Sequence, residues 1–298
     1  MLEVTHLVKR FGAKEVLHGL NFTAKEGRII GLVGKNGSGK TTLFHSLLRF
    51  IDYEGEITFQ GQSISQKTYA KIGYLPEERS LMPKWTIYEQ VLYLAKLKGL
   101  TTAQVKERLP KWMDRLQVKG RLNDKIKTLS KGNQQKVQLI ITLIHEPDLI
   151  ILDEPFSGLD PVNTGLLKKA IRAEKNRGAL IIFSDHVMTN VEELCDDLLM
   201  IKDGDLVLNG TIQEVRNSFG KTRIRVATAL PTEKVAELPH VINVQTLNDG
   251  TLKLYLDDEN AGQELFETLT QGHYTSTFVQ EAPSLDEIFK TIAGGPKK

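Results

Sequence analysis

Alternating apolar and polar residues recur through roughly the first sixty residues of the chain. Leu2 to Leu7 shows this alternation, and Glu15 to Leu17 and Glu56 to Phe59 are similar short segments beside turns. A period of two is typical of half-buried strands, so we expect a β-rich start. Residues 28–33 form instead a mostly apolar run, which precedes a glycine-rich turn and apolar residues at helical spacing from Leu43 to Leu48. This order predicts a buried strand, a loop and a helix.

Two further apolar runs and one polar helical region follow. Residues 149–152 and 180–183 have the character of strands buried on both faces, as a parallel sheet requires. Between about 85 and 144 the periodicity is helical, which predicts a helical lobe inserted between strands of the sheet. The chain is therefore expected to be of the α/β class, with a domain spanning residues 1–218.

The pattern changes after Asn217 to short alternating segments separated by helical ones. Their order is roughly β-α-β-β-α-β-α, which suits a small ferredoxin-like α+β domain over residues 219–298. Ser284 and Glu287 form a capping box ahead of the last predicted helix.

Composition limits the class of function. Hydrophobic residues make up 40% and charged residues 26%, as in ordinary globular proteins. The formal net charge of +2 gives little reason to expect nucleic acid as a partner. One cysteine excludes an internal disulfide framework. No apolar run approaches the ~20 residues of a membrane-spanning helix, and the start lacks a secretory signal. We expect a cytoplasmic location.

The glycine-rich turn matches the phosphate-binding pattern GxxxxGK[ST] in full, between a predicted strand and a predicted helix. Glycines let backbone N–H groups form an anion-binding nest, and the helix N-terminus adds positive potential. Lys40 is expected to reach the β- and γ-phosphates and Thr41 to hold Mg²⁺. The predicted ATP-binding residues of this loop are Gly34, Lys35, Asn36, Gly37, Ser38, Gly39, Lys40, Thr41 and Thr42.

Two carboxylates end the apolar run at 149–152. Asp153 is suited to positioning Mg²⁺ through its shell of oxygens. Glu154 is suited to orienting and deprotonating a water molecule that attacks the γ-phosphate, which is the role of a general base. Together with the phosphate loop, these residues predict nucleotide hydrolysis.

The segment Leu129-Ser130-Lys131-Gly132-Asn133-Gln134-Gln135 resembles the signature sequence of ABC ATPases. In that family the serine and glycine face the γ-phosphate bound by the other subunit, so two ATP molecules lie in a head-to-tail dimer. Ser130 and Gly132 match these positions. Lys131 and Asn133 replace the more usual glycine and glutamine.

Other segments match the family in the expected order. Asp160, in Ser157-Gly158-Leu159-Asp160, resembles the acidic member of the D-loop, and His186 resembles the switch histidine that touches the γ-phosphate. Phe11 matches the aromatic residue that stacks on adenine. Glu77 occupies the place where most members carry the Q-loop glutamine, and is a further candidate Mg²⁺ ligand. The residues that follow sit where the family meets its permease: Arg79, Leu81, Met82 and Trp85.

The resemblance covers residues 1 to about 218, and the remainder looks like the accessory domain of bacterial sodium-efflux and drug-efflux ATPases. It implies the P-loop ABC ATPase fold, with a mixed sheet core, an antiparallel β subdomain and a helical lobe. The implied function is the ATP-hydrolysing subunit of an exporter, with ATP and Mg²⁺ bound, peripheral on the inner face of the membrane. The implied partners are a separate transmembrane permease and a second ATPase subunit, a homodimer being favoured over a heterodimer.

Three alternatives stay open from the sequence. A soluble ABC ATPase acting on ribosomes or nucleic acid usually carries two cassettes or long heptad insertions, and neither occurs in this sequence. A regulatory ATP-binding protein that hydrolyses little is disfavoured by Lys40, Asp153, Glu154 and His186. A P-loop kinase or GTPase is disfavoured by the signature and D-loop resemblance.

Overall fold

The computed structural model describes residues 1–65, 68–78 and 80–294. The chain divides into two compact units, Met1–Thr211 and Ile212–Lys298. In chain order the helices and strands of the first unit are β1 (Leu2–Phe11), β2 (Lys14–Ala24), β3 (Ile29–Val33), α1 (Lys40–Leu47), β4 (Glu54–Phe59), β5 (Gln62–Ser63), β6 (Ile72–Leu75), α2 (Ile87–Leu97), α3 (Thr102–Arg115), α4 (Lys131–Leu143), β7 (Leu149–Asp153), α5 (Pro161–Asn176), β8 (Leu180–Ser184), α6 (Met188–Leu194), β9 (Asp197–Lys202) and β10 (Asp205–Thr211).

A six-stranded sheet, in the order β10-β9-β3-β8-β7-β6, is the centre of the first unit. All its neighbouring strands run parallel except β10, which is antiparallel to β9. Every residue of β3, β7 and β8 is buried, because helices and the second sheet cover both faces of a parallel sheet of this kind. The predicted strands at 149–152 and 180–183 are confirmed.

An antiparallel sheet, in the order β2-β1-β4-β5, packs on the same core. Strand β1 extends to Phe11, beyond the predicted end at Leu7, and β2 is also longer than predicted. Register shifts interrupt the pairing of β1 with β2 after Val4, Leu7 and Lys9. Each bulge breaks the period-two pattern, so the alternation in the sequence ends before the strand does.

Helices α2, α3 and α4 follow one another between β6 and β7, where the sequence predicts a helical lobe. Helices α2 and α3 begin at capping boxes, in which Thr86 pairs with Glu89 and Thr101 pairs with Gln104. Helix α4 begins after Ser130, whose side chain accepts a hydrogen bond from the Asn133 backbone N–H. These caps satisfy N–H groups that the first turn of a helix leaves free.

The second unit contains, in chain order, α7 (Ile212–Asn217), β11 (Arg223–Val226), α8 (Thr232–Ala236), β12 (Val241–Thr246), β13 (Leu252–Leu256), α9 (Gly262–Thr270), β14 (Phe278–Glu281) and α10 (Leu285–Gly294). Its antiparallel sheet has the order β12-β13-β11-β14, and its strands and helices alternate as β-α-β-β-α-β. This is the arrangement of a ferredoxin-like domain, so the predicted fold class is confirmed. The domain boundary predicted at 218/219 stays a prediction.

Of the helices in the described part of the chain, none combines the length and the apolar character that crossing a bilayer requires.

Candidate nucleotide site

The phosphate-binding loop joins β3 to α1. Gly39 precedes the helix with a φ of 112°, in the region that favours glycine. At Gly34 a Cβ atom would lie 2.4 Å from the backbone oxygen of Ile201, so no side chain fits there. The ammonium of Lys40 folds over the loop and donates to the carbonyl oxygens of Gly34, at 2.8 Å, and Lys35, at 3.0 Å.

A cavity of about 530 Å³ lies in front of this loop. Residues from five separate segments of the chain line it, which brings together most of the site predicted from the sequence. The lining residues are Val16, Asn36, Gly37, Gly39, Lys40, Thr41, Thr42, Glu77, Asp153, Glu154 and His186. The cavity is open to one side and is of the size expected for a small-molecule ligand.

Asp153 and Glu154 are fixed at the end of β7 by the neighbouring strand β8. The parallel register pairs Asp153 with Ser184. The Ser184 hydroxyl donates to Asp153 Oδ1 at 2.6 Å and accepts the Glu154 backbone N–H at 3.0 Å. Both Ser184 and Asp153 are buried. One serine therefore fixes both the Asp153 carboxylate and the backbone of Glu154.

Glu154 has a left-handed backbone, with a φ of 48°. This conformation costs a residue with a side chain roughly 1–2 kcal/mol relative to ordinary backbone, and it turns the chain sharply after the strand. Glu154 Oε2 lies 3.2 Å from Nδ1 of His186, whose side chain is 65% exposed at the mouth of the cavity. The carboxylate and the imidazole can therefore share a hydrogen bond.

Three carboxylates and one ammonium face this cavity. Burial lowers the pKa of Lys40, and the charges of Glu154, Asp153 and Glu77 oppose that shift. Burial also raises the pKa of Glu77, and the charges of Glu154 and Asp153 raise it further. The negative charges repel one another, so the cavity favours a ligand that brings positive charge with it.

The oxygen atoms beside the loop fit a magnesium ion. Thr41 Oγ1 lies 3.4 Å from Asp153 Oδ2 at the edge of the cavity. Mg²⁺ is usually held by one or two protein oxygens, with substrate phosphates and water as its other ligands. Within residues 1–65, 68–78 and 80–294 no group of three or more His, Cys, Asp or Glu residues forms a metal site made of protein alone, so phosphates and water would supply the other ligands of the ion.

The signature residues lie away from this cavity. Ser130 and Asp160 line a second cavity of about 340 Å³, at the N-termini of α4 and α5. Asp160 caps α5 by accepting from the Asn163 backbone N–H at 2.9 Å. A Cβ atom on Gly132 would lie 3.4 Å from the Asn163 amide nitrogen, so the two helix ends are close neighbours. Lys131 is exposed in the first turn of α4.

Comparison with known proteins identifies the family. A profile described as ABC transporter matches residues 17–157. YhaQ, an ABC transporter ATP-binding protein of Bacillus subtilis, is 40% identical over 290 residues, which are 97% of this chain and 97% of that protein. The chain belongs to the ABC transporter ATP-binding proteins. A profile described as the C-terminal domain of DrrA1-3-like ATP-binding proteins matches residues 210–293.

More distant ABC relatives also match along almost their whole length. The linearmycin resistance ATP-binding protein LnrL of B. subtilis is 29% identical over 307 residues, covering 99% of this chain and 98% of that protein. The bacitracin transport ATP-binding protein BcrA of Enterococcus faecalis is 27% identical, covering 99% and 97%. A solved structure of an ABC transporter ATP-binding subunit is 30% identical with a TM-score of 0.70, covering 74% of this chain and 93% of that one.

Phe11 is the predicted adenine-stacking residue, and it is not among the residues that line the 530 Å³ cavity. It is 51% exposed at the end of β1, with the Lys9 ammonium 4.7 Å from its ring centroid. Its predicted contact with adenine stays a prediction.

Two residues of the site were not identified from the sequence. Val16 lines the cavity from β2, and Ser184 connects Asp153 with Glu154. Ser184 directly follows an apolar run and lies two residues before His186. This position could have identified it as a site residue once the pairing of β7 with β8 was known. No comparable signal marks Val16, since its place depends on how the two sheets pack.

Proposed function

We propose that this chain hydrolyses Mg²⁺-bound ATP and, as one of two ATPase subunits, drives a separate membrane permease that exports its substrate. The observation that carries the proposal is the single cavity in which Lys40, Thr41, Asp153, Glu154 and His186 meet. A phosphate cradle, an oxygen pair for the cation and a carboxylate base are the parts that phosphoryl transfer to water needs.

Hydrolysis uses these residues in fixed roles. Lys40 and the loop N–H groups hold the β- and γ-phosphates. Mg²⁺, when bound beside Thr41 and Asp153, neutralises phosphate charge. Glu154 accepts the proton of a water molecule as its oxygen attacks the γ-phosphorus, and the bond from that phosphorus to the bridging oxygen breaks, releasing ADP and phosphate. His186 orients the Glu154 carboxylate through their 3.2 Å contact.

The second cavity supports a role for the dimer. Ser130 and Gly132 stand at the N-terminus of α4, where backbone N–H groups favour an anion. In the proposed sandwich this end of the helix meets the γ-phosphate held by the other subunit. ATP then joins two chains, and its hydrolysis releases them.

Helix α4 also connects the loops around the nucleotide. The buried Gln135 amide donates to the Pro155 carbonyl at 3.1 Å, and the buried Gln138 amide donates to the carbonyls of Pro76 at 3.2 Å and Glu78 at 3.4 Å. These two glutamines are three residues apart and so lie on one side of the helix. A movement of the loop that carries Glu77 therefore displaces the signature helix as well.

An exposed apolar surface beside α2 is our proposed permease contact. Trp85 and Tyr93 pack edge to face with ring centroids 5.3 Å apart, in the wall of a cavity of about 400 Å³. Met82 and Tyr93 are each 51% exposed. Aromatic residues and methionine are enriched at protein interfaces. Arg79, which the sequence assigns to the same contact, lies outside the described residues.

The direction of transport rests on the relatives. Proteins similar to this chain over nearly its full length are named for bacitracin transport, linearmycin resistance and Nod factor export. Removal of a compound from the cell is common to resistance and export, so we infer that the permease partner is an exporter.

The test traps the ATP-bound dimer. Glu154→Gln removes the base and should hold ATP unhydrolysed, so a tagged variant is pulled from solubilised membranes with and without ATP. We expect a multi-span membrane protein to co-purify, and purified wild-type chain to hydrolyse ATP where Glu154→Gln does not. Lys40→Ala in the same background is the control, since it should not bind ATP. Co-purification of ribosomes or DNA in place of a membrane protein would overturn the transport proposal.

A further inference from the structure

Asn133 and Ser130 form a small hydrogen-bonded unit at the start of α4. Ser130 Oγ accepts from the Asn133 backbone N–H at 3.3 Å and from the Asn133 side-chain Nδ2 at 3.0 Å. The Asn133 side-chain oxygen accepts the Lys119 backbone N–H at 2.9 Å. This asparagine stands where the signature of the family usually has glutamine.

The Lys119 contact fixes which way the Asn133 amide faces. A backbone N–H can only donate, so the amide must turn its oxygen towards Lys119 and its NH₂ group towards Ser130. The reversed amide would set two donors against each other at Lys119. Asn133 is therefore held as a donor to the serine.

The hydroxyl of Ser130 has two lone pairs, and both face a donor of Asn133. Its own proton must then point elsewhere, and none of the hydrogen bonds found within residues 1–65, 68–78 and 80–294 has the Ser130 hydroxyl as donor. Ser130 is exposed and lines the 340 Å³ cavity, so this proton is directed outwards.

We propose that Asn133 is a positioning residue, which sets the Ser130 hydroxyl as a hydrogen-bond donor to the γ-phosphate of the ATP held by a second copy of this chain. The inference rests on the proposed ATP-bound dimer. A phosphate oxygen is only an acceptor, so a serine whose proton is already turned outwards meets it without reorientation.

The charges around this cavity suit the same ligand. Lys119 and Lys136 line it, and Asp160 is the one acidic residue in its lining. Asn133→Asp would disturb this arrangement in two ways. The second side-chain oxygen would accept the Ser130 proton and turn it away from the phosphate, and a second carboxylate would face an incoming anion.

Asn133→Asp makes a sharp test because its effects on the monomer and on the dimer are opposite. An acidic residue three positions after an N-cap serine stabilises the first turn of a helix. Thermal stability of the monomer should therefore stay the same or rise. ATP-induced dimerisation of Glu154→Gln, measured by light scattering, should weaken by about tenfold or more for each of the two ATP sites, the effect of losing one hydrogen bond to a charged group at each site.

Controls separate this effect from others. Asn123→Asp makes the same chemical change at an exposed position of the same lobe, outside the cavity lining, and should leave dimerisation unchanged. Asn133→Ala removes the donor without adding charge and should weaken dimerisation by a smaller factor. Affinity for a fluorescent ATP analogue, measured on dilute monomer, should be equal in all variants because Asn133 does not line the 530 Å³ cavity.

Two results would count against the proposal, and they differ. If Glu154→Gln itself shows no ATP-induced dimer, the sandwich is wrong and the role of Asn133 falls with it. If Glu154→Gln dimerises and both Asn133 variants dimerise equally well, the sandwich stands and Asn133 has no part in it.

Discussion

Replacing Ser184 with alanine removes one oxygen atom that satisfies two buried groups. Asp153 Oδ1 loses a donor at 2.6 Å, and the Glu154 N–H loses its acceptor at 3.0 Å. Ser184 is fully buried and Asp153 is 2% exposed, so no other part of the surface readily replaces the hydroxyl. Loss of a hydrogen bond to a charged group costs about 1.5–3 kcal/mol, and the unpaired N–H adds to this cost. We therefore expect the free energy of unfolding to fall by about 2–4 kcal/mol.

The same change should slow hydrolysis. The hydrogen bond from the Glu154 backbone N–H to Ser184 helps hold Glu154 in its left-handed conformation at the end of β7. Its loss lets the Glu154 carboxylate move relative to the γ-phosphate of bound ATP. A displacement of about 1 Å in a catalytic group lowers the rate by about ten- to a hundredfold. The fall should appear in kcat, while the KM for ATP changes less because Lys40 and the loop are untouched.

Ser46→Ala provides the matched control. Ser46 is equally buried, on α1, and its hydroxyl donates to the Thr42 carbonyl at 2.9 Å. Removing it should cost about 1 kcal/mol and leave kcat unaltered. Urea denaturation and steady-state ATPase assays measure both quantities. Equal stability and equal kcat in wild type and Ser184→Ala would refute the role given to this serine.

Three further perturbations have expected outcomes. Burial lowers the pKa of His145 to about 4. Below about pH 6.5 the folded chain therefore binds fewer protons than the unfolded chain, and its free energy of unfolding falls by roughly 2 kcal/mol by pH 5. Between pH 7.5 and pH 5, urea denaturation of His145→Gln should show a loss that is smaller by this amount. Glu77→Gln should tighten binding of a fluorescent ATP analogue in EDTA by about two- to fivefold, and Glu78→Gln, one residue outside the cavity lining, should not. Glu287→Ala removes a carboxylate that pairs with two basic side chains and caps the start of α10. The melting temperature should therefore fall, by the equivalent of about 1–2 kcal/mol. Asp286→Ala is the control, because Asp286 forms an exposed ion pair, and it should change the melting temperature little.

The parts of the site that are contiguous in sequence could be predicted from it. The phosphate loop and the Asp153-Glu154 pair each lie at a strand end, and an apolar run followed by the right residues indicates both. The long-range parts could not be predicted with the same certainty. The role of Ser184 depends on the register that sets it beside Asp153, and a shift of one residue would face it away.

The fold shows the same division. The ferredoxin-like order of the second unit could be read from alternating patterns, because its strands are short and regular. The length of β1 could not, since bulges after Val4, Leu7 and Lys9 move side chains to the other face. The pairing of Ser130 with Asn133 lies between these cases: the two residues are one helical turn apart, but only the Lys119 contact reveals how the amide is turned.

The two carbonyl contacts of Lys40 have a thermodynamic consequence for ligand binding. A free lysine side chain carries about 2 kcal/mol of rotamer entropy, part of which is lost whenever its ammonium is immobilised on a phosphate. In this chain the Gly34 and Lys35 carbonyls already restrain it. Nucleotide binding therefore exchanges one set of ammonium contacts for another and orders little that was disordered. An arginine at this position would keep the charge but not the compact three-donor head, so it would enter the cavity without that preorganisation.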